Sequence, residues 1–295
     1  MNSGLSNLTQ RILVAAIGIP IVVYVTFKPY SLLGLVLIFA LLAVHEFYGL
    51  AKIKGFVPQV TIGMTLTAFI ILSFAHFRLP SISATSDLLP LILIAGVVAT
   101  MTAELFKGYP NPLVQIAITL AGAVYIGIGL GGLYGVHEYF FIHAATSHSG
   151  EPVADLVQTA AYFTIAMLAS IWICDSAAFT VGRKMGKHII AERISPHKTW
   201  EGGVAGLAAA ILTWFLVRAF VPALANVSVT TCIVMGLIVG VLGQTGDFAE
   251  SLLKRDAGIK DSSTLIPGHG GVLDRLDSIL FVAPLTYLYL HLFGL

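Results

Sequence analysis

Two short stretches of this chain carry residues suited to handling phosphate and a divalent cation. In residues 246–277, four carboxylates fall into two pairs, Asp247 with Glu250 and Asp274 with Asp277. Residues three apart on a helix share a face. Each pair can therefore present hard oxygen ligands of the kind Mg²⁺ takes in small number beside substrate phosphates. Asp247, Asp274 and Asp277 are the candidate metal ligands, and Glu250 stands evenly between that role and a structural one. Around them lie Ser251, Lys254, Arg255, Lys260, Asp261 and Arg275. Arg offers a phosphate a planar fork and Lys a point charge. Pro267-Gly268-His269-Gly270-Gly271 should form a tight turn whose backbone N–H groups suit an anion. His269 is open between proton carrier, phosphate donor and ordinary turn residue. The other stretch, residues 175–203, contributes Asp175, Arg183, Lys198 and Glu201.

These polar strips are exceptions in a very apolar chain. Of 295 residues, 57% are hydrophobic and 11% charged, against about 25% charged in soluble domains. Mean hydropathy is +0.91. A soluble fold of this length would need far more polar surface, so the chain reads as an integral membrane protein. A formal net charge of +1 gives no global field for attracting nucleic acid. Cys174 and Cys232 sit in apolar runs without metal spacing and read as small hydrophobes. The first apolar run lacks a small-residue cleavage site and reads as a retained span.

A span needs roughly 17–25 mainly apolar residues. Candidates are residues 11–27, 31–50, 59–78, 88–106, 113–135, 157–180, 203–222, 229–249 and 278–294. The expectation is an all-α polytopic protein of about nine transmembrane helices, a single integral membrane domain over 1–295. Residues 1–156 would form N-terminal helices, and 157–295 the catalytic helices and loops. With the N-terminus cytoplasmic, thirteen of the sixteen Lys and Arg residues fall inside and only Lys28, Arg78 and Arg218 outside. That asymmetry follows the positive-inside rule and puts the C-terminus outside. It also puts both polar strips on the cytoplasmic face, as one surface active site needs. A transporter would instead want charges near the midplane and paired repeats.

Elsewhere, His45-Glu46 and Glu104 lie near predicted cytoplasmic helix ends and read as helix-end polar groups, with Glu46 close enough to reach the site. The glycines of the fifth span, Gly122, Gly127, Gly129, Gly131 and Gly132, suit close helix contact. Residues 136–156 contain no Lys or Arg and read as an outer loop, with His137, His143 and His148 solvated on it.

Residues 251–277 resemble the signature of the phosphatidate cytidylyltransferase (CDP-diacylglycerol synthase) family. The pattern is met by Ser251, Lys254, Arg255, Lys260, Asp261, Pro267, His269, Gly270, Gly271, Asp274, Arg275 and Asp277. Upstream, Asp175, Ala178-Phe179, Gly182-Arg183, Gly186-Lys187 and Ser195-Pro196-His197-Lys198-Thr199-Trp200-Glu201-Gly202 are similar to the family too, with His197 as a variant. The resemblance covers about 174–280; before that it is only a general run of helices. It implies a Mg²⁺-dependent transfer of CMP from CTP to phosphatidate, giving CDP-diacylglycerol and pyrophosphate, in a bacterial inner membrane with the active site on the cytoplasmic side. It leaves open a second cation and a homodimer. On this reading Lys254, Arg255, Lys260, Asp261, His269 and Arg275 are catalytic. Asp175, Arg183, Lys198, Glu201, Ser251, Gly270 and Gly271 would bind substrate, and Asp247, Asp274 and Asp277 the metal.

Overall fold

Long apolar runs dictate helices, because a backbone in lipid must satisfy its own N–H and C=O groups. The computed structural model describes residues 7–75, 88–147, 152–266, 268 and 270–295. Its elements are α1 (Asn7–Thr26), α2 (Pro29–Ile53), α3 (Val60–Phe74), α4 (Leu88–Glu104), α5 (Pro112–Ser147) and α6 (Val153–Met185). A small hairpin follows, β1 (Ile189–Ala191) and β2 (Ser195–Thr199), then α7 (Trp200–Phe220) and α8 (Val229–Leu237). A π-helical turn over Ile238–Gly243 leads into α9 (Gln244–Asp256), and α10 (Leu273–Leu276) and α11 (Ile279–Phe293) close the chain.

Among the described residues, six helices are long and apolar enough to cross a membrane: Pro29–Ile53, Pro112–Ala145, Val153–Met185, Trp200–Phe220, Val229–Asp256 and Leu273–Phe293. Ile12–Thr26, Val60–Phe74 and Leu88–Glu104 are shorter apolar helices. An all-α membrane fold fits this architecture.

The chain forms two compact units, Met1–Ile128 with Asp256–Leu276, and Gly129–Arg255 with Asp277–Leu295. In the first unit α1 to α4 pack in sequence, and α10 sits on α2. Tyr48 of α2 is fully buried, and its hydroxyl donates to the Thr119 carbonyl at 2.6 Å. Gln59 Nε2 donates to the Thr100 carbonyl (3.0 Å) and to Glu104, so Glu104 belongs to a buried polar seam rather than to an exposed helix end.

In the second unit α7 packs between α6 and α8, with Phe163 against Trp214 at 5.0 Å between ring centroids. Small residues permit close approach: a Cβ on Gly236 or Gly240 would lie 2.5 Å from the Ile211 or Leu207 side chain of α7. Gly129 and Gly132 likewise lie against Leu280 and Pro284 of α11, the close helix contact expected of them. The π turn inserts an extra residue per turn and re-aims the helix that follows, a device frequent at functional sites. That helix begins with Gln244 and Asp247.

One expectation is overturned. Most of the supposed outer loop 136–156 is helix: α5 runs 36 residues from Pro112 to Ser147, about 54 Å at 1.5 Å per residue. Val136, Tyr139, Phe140 and Phe141 are buried, so an apolar face continues the helix past the length a bilayer core requires. His137 is not solvated but fully buried, 3.7 Å from Glu138, with its ring stacked on Tyr134. His143 is exposed on α5 and stacks on Tyr139; His148 lies outside the described residues.

Candidate active site: two carboxylate clusters

In the second unit Lys198 lies close to Asp247 and Asp277. The π turn ends at Gly243, and α9 places Asp247 one turn later. Lys198, near the end of β2, forms an ion pair with Asp247, and its Nζ lies 4.3 Å from the centre of the Phe248 ring. The aromatic face gives this ammonium a second attractive partner. Asp277 lies just before α11, where its Oδ1 accepts from Ser278 N at 2.6 Å. Gly246 lets the two segments touch: a Cβ there would lie 2.5 Å from the Asp277 carbonyl oxygen. The charges of Asp247 and Asp175 oppose that of Asp277, while Lys198 and the Ser278 N–H favour it. Asp247 and Asp277 thus lie close to one ammonium at a partly exposed position.

The hairpin that carries Lys198 is held by Glu201. Its Oε2 accepts from the backbone N–H groups of Lys187 (3.2 Å) and His188 (3.3 Å), and its Oε1 contacts His188 Nδ1 at 2.6 Å. Thr199 caps α7 by accepting from Gly202 N at 3.3 Å. Gln244 Nε2 donates to the Gly203 carbonyl at 3.0 Å, joining the start of α9 to the start of α7. Glu201 therefore fixes the element that presents Lys198. Arg183 is exposed on α6. Ser251 Oγ donates weakly to Asp247 Oδ1 at 3.4 Å. Glu250 and Lys254 are both buried and pair with each other across one turn of α9. Arg255 is exposed and its Nε donates to the Ile194 carbonyl at 3.4 Å.

The first unit uses its acids differently. Gly270 has φ +79°, a left-handed conformation that disfavours a side chain, and Ile266 N donates to its carbonyl at 2.8 Å. Asp274 is buried, and its Oδ2 accepts from Gly271 N (2.7 Å), Ser262 N (2.9 Å) and Ser262 Oγ (2.9 Å). The Gly271 N–H thus points to a carboxylate of the chain itself. Glu46 of α2, also buried, accepts from Ser262 and Ser263 and from the backbone of Val272 and Leu273. Lys260 and Asp261 are exposed on this loop, and Arg275 is exposed on α10. Pro267 and His269 lie outside the described residues.

Sequence reasoning under-weighted Glu46 and did not single out Ser262, Ser263, Gln244 or Phe248. For Glu46 a signal existed, since a carboxylate inside an apolar run is costly and demands partners. Its partners lie 216 to 227 positions away, where no local pattern could show them.

Among the described residues, no three His, Cys, Asp or Glu side chains close around a point able to hold a metal ion. Mg²⁺ needs no such cage, because it keeps several waters and binds through one or two carboxylates plus substrate phosphates. Asp247 and Asp277 fit that demand: both are partly exposed hard-oxygen donors in a cluster with excess negative charge. Asp274 Oδ2 already serves three donors.

Helices for a membrane, carboxylates suited to a hard cation and basic residues suited to phosphate define a membrane protein equipped for phosphoryl chemistry. The sequence profile of the cytidylyltransferase family matches residues 9–293. A phosphatidate cytidylyltransferase of Synechocystis is 30% identical over 308 residues, covering 96% of this chain and 97% of that protein. One from Thermotoga maritima is 30% identical over 287 residues, covering 96% of each. One from Brucella suis is 43% identical over 128 residues, 43% of this chain and 46% of that one. The chain belongs to the cytidylyltransferase family.

Proposed function

We propose that this chain transfers CMP from CTP to phosphatidate, releasing pyrophosphate and leaving CDP-diacylglycerol in the membrane. The observation that carries this reading is the family match over residues 9–293, which spans both carboxylate clusters. A phosphate oxygen of phosphatidate forms the new bond to the α-phosphorus of CTP. The bond from that phosphorus to the bridging oxygen breaks, and its electrons leave with pyrophosphate. The nucleophile is already an anion at neutral pH, so catalysis rests on alignment and charge compensation rather than on a strong base.

The residues divide the work. Asp247 and Asp277 would hold Mg²⁺, whose chemistry here is to offset charge on the triphosphate. Lys198, seated between Asp247 and the Phe248 ring, points an ammonium at the nucleotide phosphates. Glu201 keeps the hairpin that carries it in place, and Asp175 adds to the cluster's negative charge. Lys260, Arg275 and Arg255 are exposed and would neutralise lipid and nucleotide phosphate. Lys254, paired with Glu250, supports α9 beneath Asp247 and Ser251. Asp274, Gly270 and Gly271 shape the loop that bears Lys260, Asp261, His269 and Arg275.

The membrane arrangement that suits this chemistry has nine crossings, formed by the six long helices and the three shorter apolar ones. Its N-terminus is cytoplasmic and its C-terminus outside. The basic residues then collect at the inner face of a bacterial cytoplasmic membrane, where CTP is present and the acyl chains of phosphatidate stay among lipids. A homodimer and a second cation are compatible with this arrangement.

Incubating membranes that contain the protein with CTP, phosphatidate and Mg²⁺ should yield CDP-diacylglycerol in the lipid extract. No product above membranes lacking the protein would refute the assignment. Membrane-impermeant labelling of cysteines introduced at positions 188 and 260 in sealed vesicles tests the orientation. Labelling of the two positions from opposite sides would reject it.

A further inference from the structure

The buried face of the signature loop is organised by a residue outside the signature. Glu46, on α2, is 7% exposed, and its carboxylate is engaged at both oxygens. Oε1 accepts from Ser263 Oγ at 2.7 Å and Val272 N at 3.0 Å. Oε2 accepts from Ser262 Oγ at 2.8 Å and Leu273 N at 2.8 Å. Each oxygen therefore takes one hydroxyl from the segment before the glycine turn and one N–H from the segment after it. Asp274 repeats the arrangement from the other side through Ser262 and Gly271. Gly271 has no room for a side chain, because a Cβ there would run into Ser262 Oγ and the Glu46 carboxylate.

This pattern is specific for a carboxylate. The hydroxyls of Ser262 and Ser263 can rotate and donate elsewhere, but the N–H groups of Val272 and Leu273 cannot reverse. An amide in place of the carboxylate would set its NH₂ against one of those N–H groups and leave a buried donor unsatisfied. The shorter Asp side chain would keep the charge but draw it back from the loop. The clasp closes residues 262–263 onto 272–273, and the exposed Lys260 and Arg275 flank these anchored points by two residues each.

We infer that Glu46 is a positioning residue of the transferase: its carboxylate sets the spacing of the two arms of the signature loop and thereby the placement of Lys260 and Arg275. This rests on the functional reading above, in which those two residues compensate phosphate charge during transfer. An interaction that matters through placement of a transition-state group lowers kcat more than it raises KM.

The test uses the full-length protein carrying Glu46→Gln, Glu46→Asp, Ser263→Ala, Lys260→Ala and the double change Glu46→Gln/Lys260→Ala. At saturating CTP and phosphatidate, Glu46→Gln should lower kcat about 10–100-fold, the range seen when a group supporting a functional residue is removed, with KM for both substrates little moved. Glu46→Asp should recover part of that loss. The double variant should lose little more than Lys260→Ala alone, because the two residues act as one unit. Unchanged kcat in Glu46→Gln, or losses that simply add in the double variant, would overturn the inference. Should Glu46→Gln fail to accumulate as folded protein, Ser263→Ala, which removes one of the four bonds, carries the same cycle with a smaller loss. Limited proteolysis gives a readout independent of activity: cleavage within residues 257–265 should quicken in Glu46→Gln, and a wild-type rate there would also overturn the inference. Wild-type protein making no CDP-diacylglycerol would instead refute the functional reading, while the proteolysis result would still decide the clasp.

Discussion

Asp274 and Asp277 stand three residues apart, yet the structure treats them as different kinds of group. In the first unit, Asp274 and Glu46 are buried and their carboxylates accept several hydrogen bonds from backbone N–H groups and serine hydroxyls. In the second unit, Asp277, Asp247 and Asp175 are more exposed, the charges of Asp247 and Asp175 oppose that of Asp277, and Lys198 pairs with Asp247. A carboxylate satisfied by fixed donors orders the loop around it. One that faces like charges gains most from a cation or a positively charged partner. On the proposed function, the contrast separates acids that order a loop from acids that would hold the cation.

The largest effect should come from Asp277→Asn. Removing one preorganised charge from a reacting centre costs about 10²–10³ in rate, and added Mg²⁺ should not restore it. Near-normal activity across a Mg²⁺ titration would break the comparison at its acting side. Asp274→Asn should cost less, about 10–100-fold in activity, the usual range for supporting groups. Its Mg²⁺ requirement should stay that of the wild type. A higher requirement would move Asp274 into the cation-binding group and erase the distinction. Lys198→Met should raise KM for CTP about tenfold, as for loss of a charged hydrogen-bond partner, with kcat less affected. A kcat loss at unchanged KM would sharpen the account differently, making Lys198 a transition-state group. Smallest of all, His137→Phe should leave kcat/KM near wild type, since the ring stack on Tyr134 is kept and no carboxylate of either cluster is nearby in the chain. A large loss would show that polar groups buried in α5 reach the chemistry.

Much of the fold was legible because lipid imposes a simple rule, and most of the apolar runs became helices within a few residues of their expected ends. The long α5 outruns its expected span because the helix does not stop at the length of one bilayer crossing. Val136, Tyr139, Phe140 and Phe141 bury one face and carry the helix further. The π turn before Gln244 left only glycines as a trace. In the site, residue types and spacing marked Asp247, Asp274, Asp277 and Lys198. They could not divide Asp274 from Asp277, because that difference lies in who donates to each: Ser262 and Gly271 in one case, Ser278 alone in the other among the bonds described. Glu46 shows the same limit, since its partners come from the far end of the sequence.

The most direct test of the central claim is label transfer by purified protein in phosphatidate-containing micelles, with Mg²⁺ and CTP labelled at the α-phosphate. Label should pass into CDP-diacylglycerol with one pyrophosphate released per lipid formed, and Asp277→Asn should slow both to the same extent. Pyrophosphate release with the label left in water-soluble CMP, or no consumption of CTP by the wild-type protein, would contradict it.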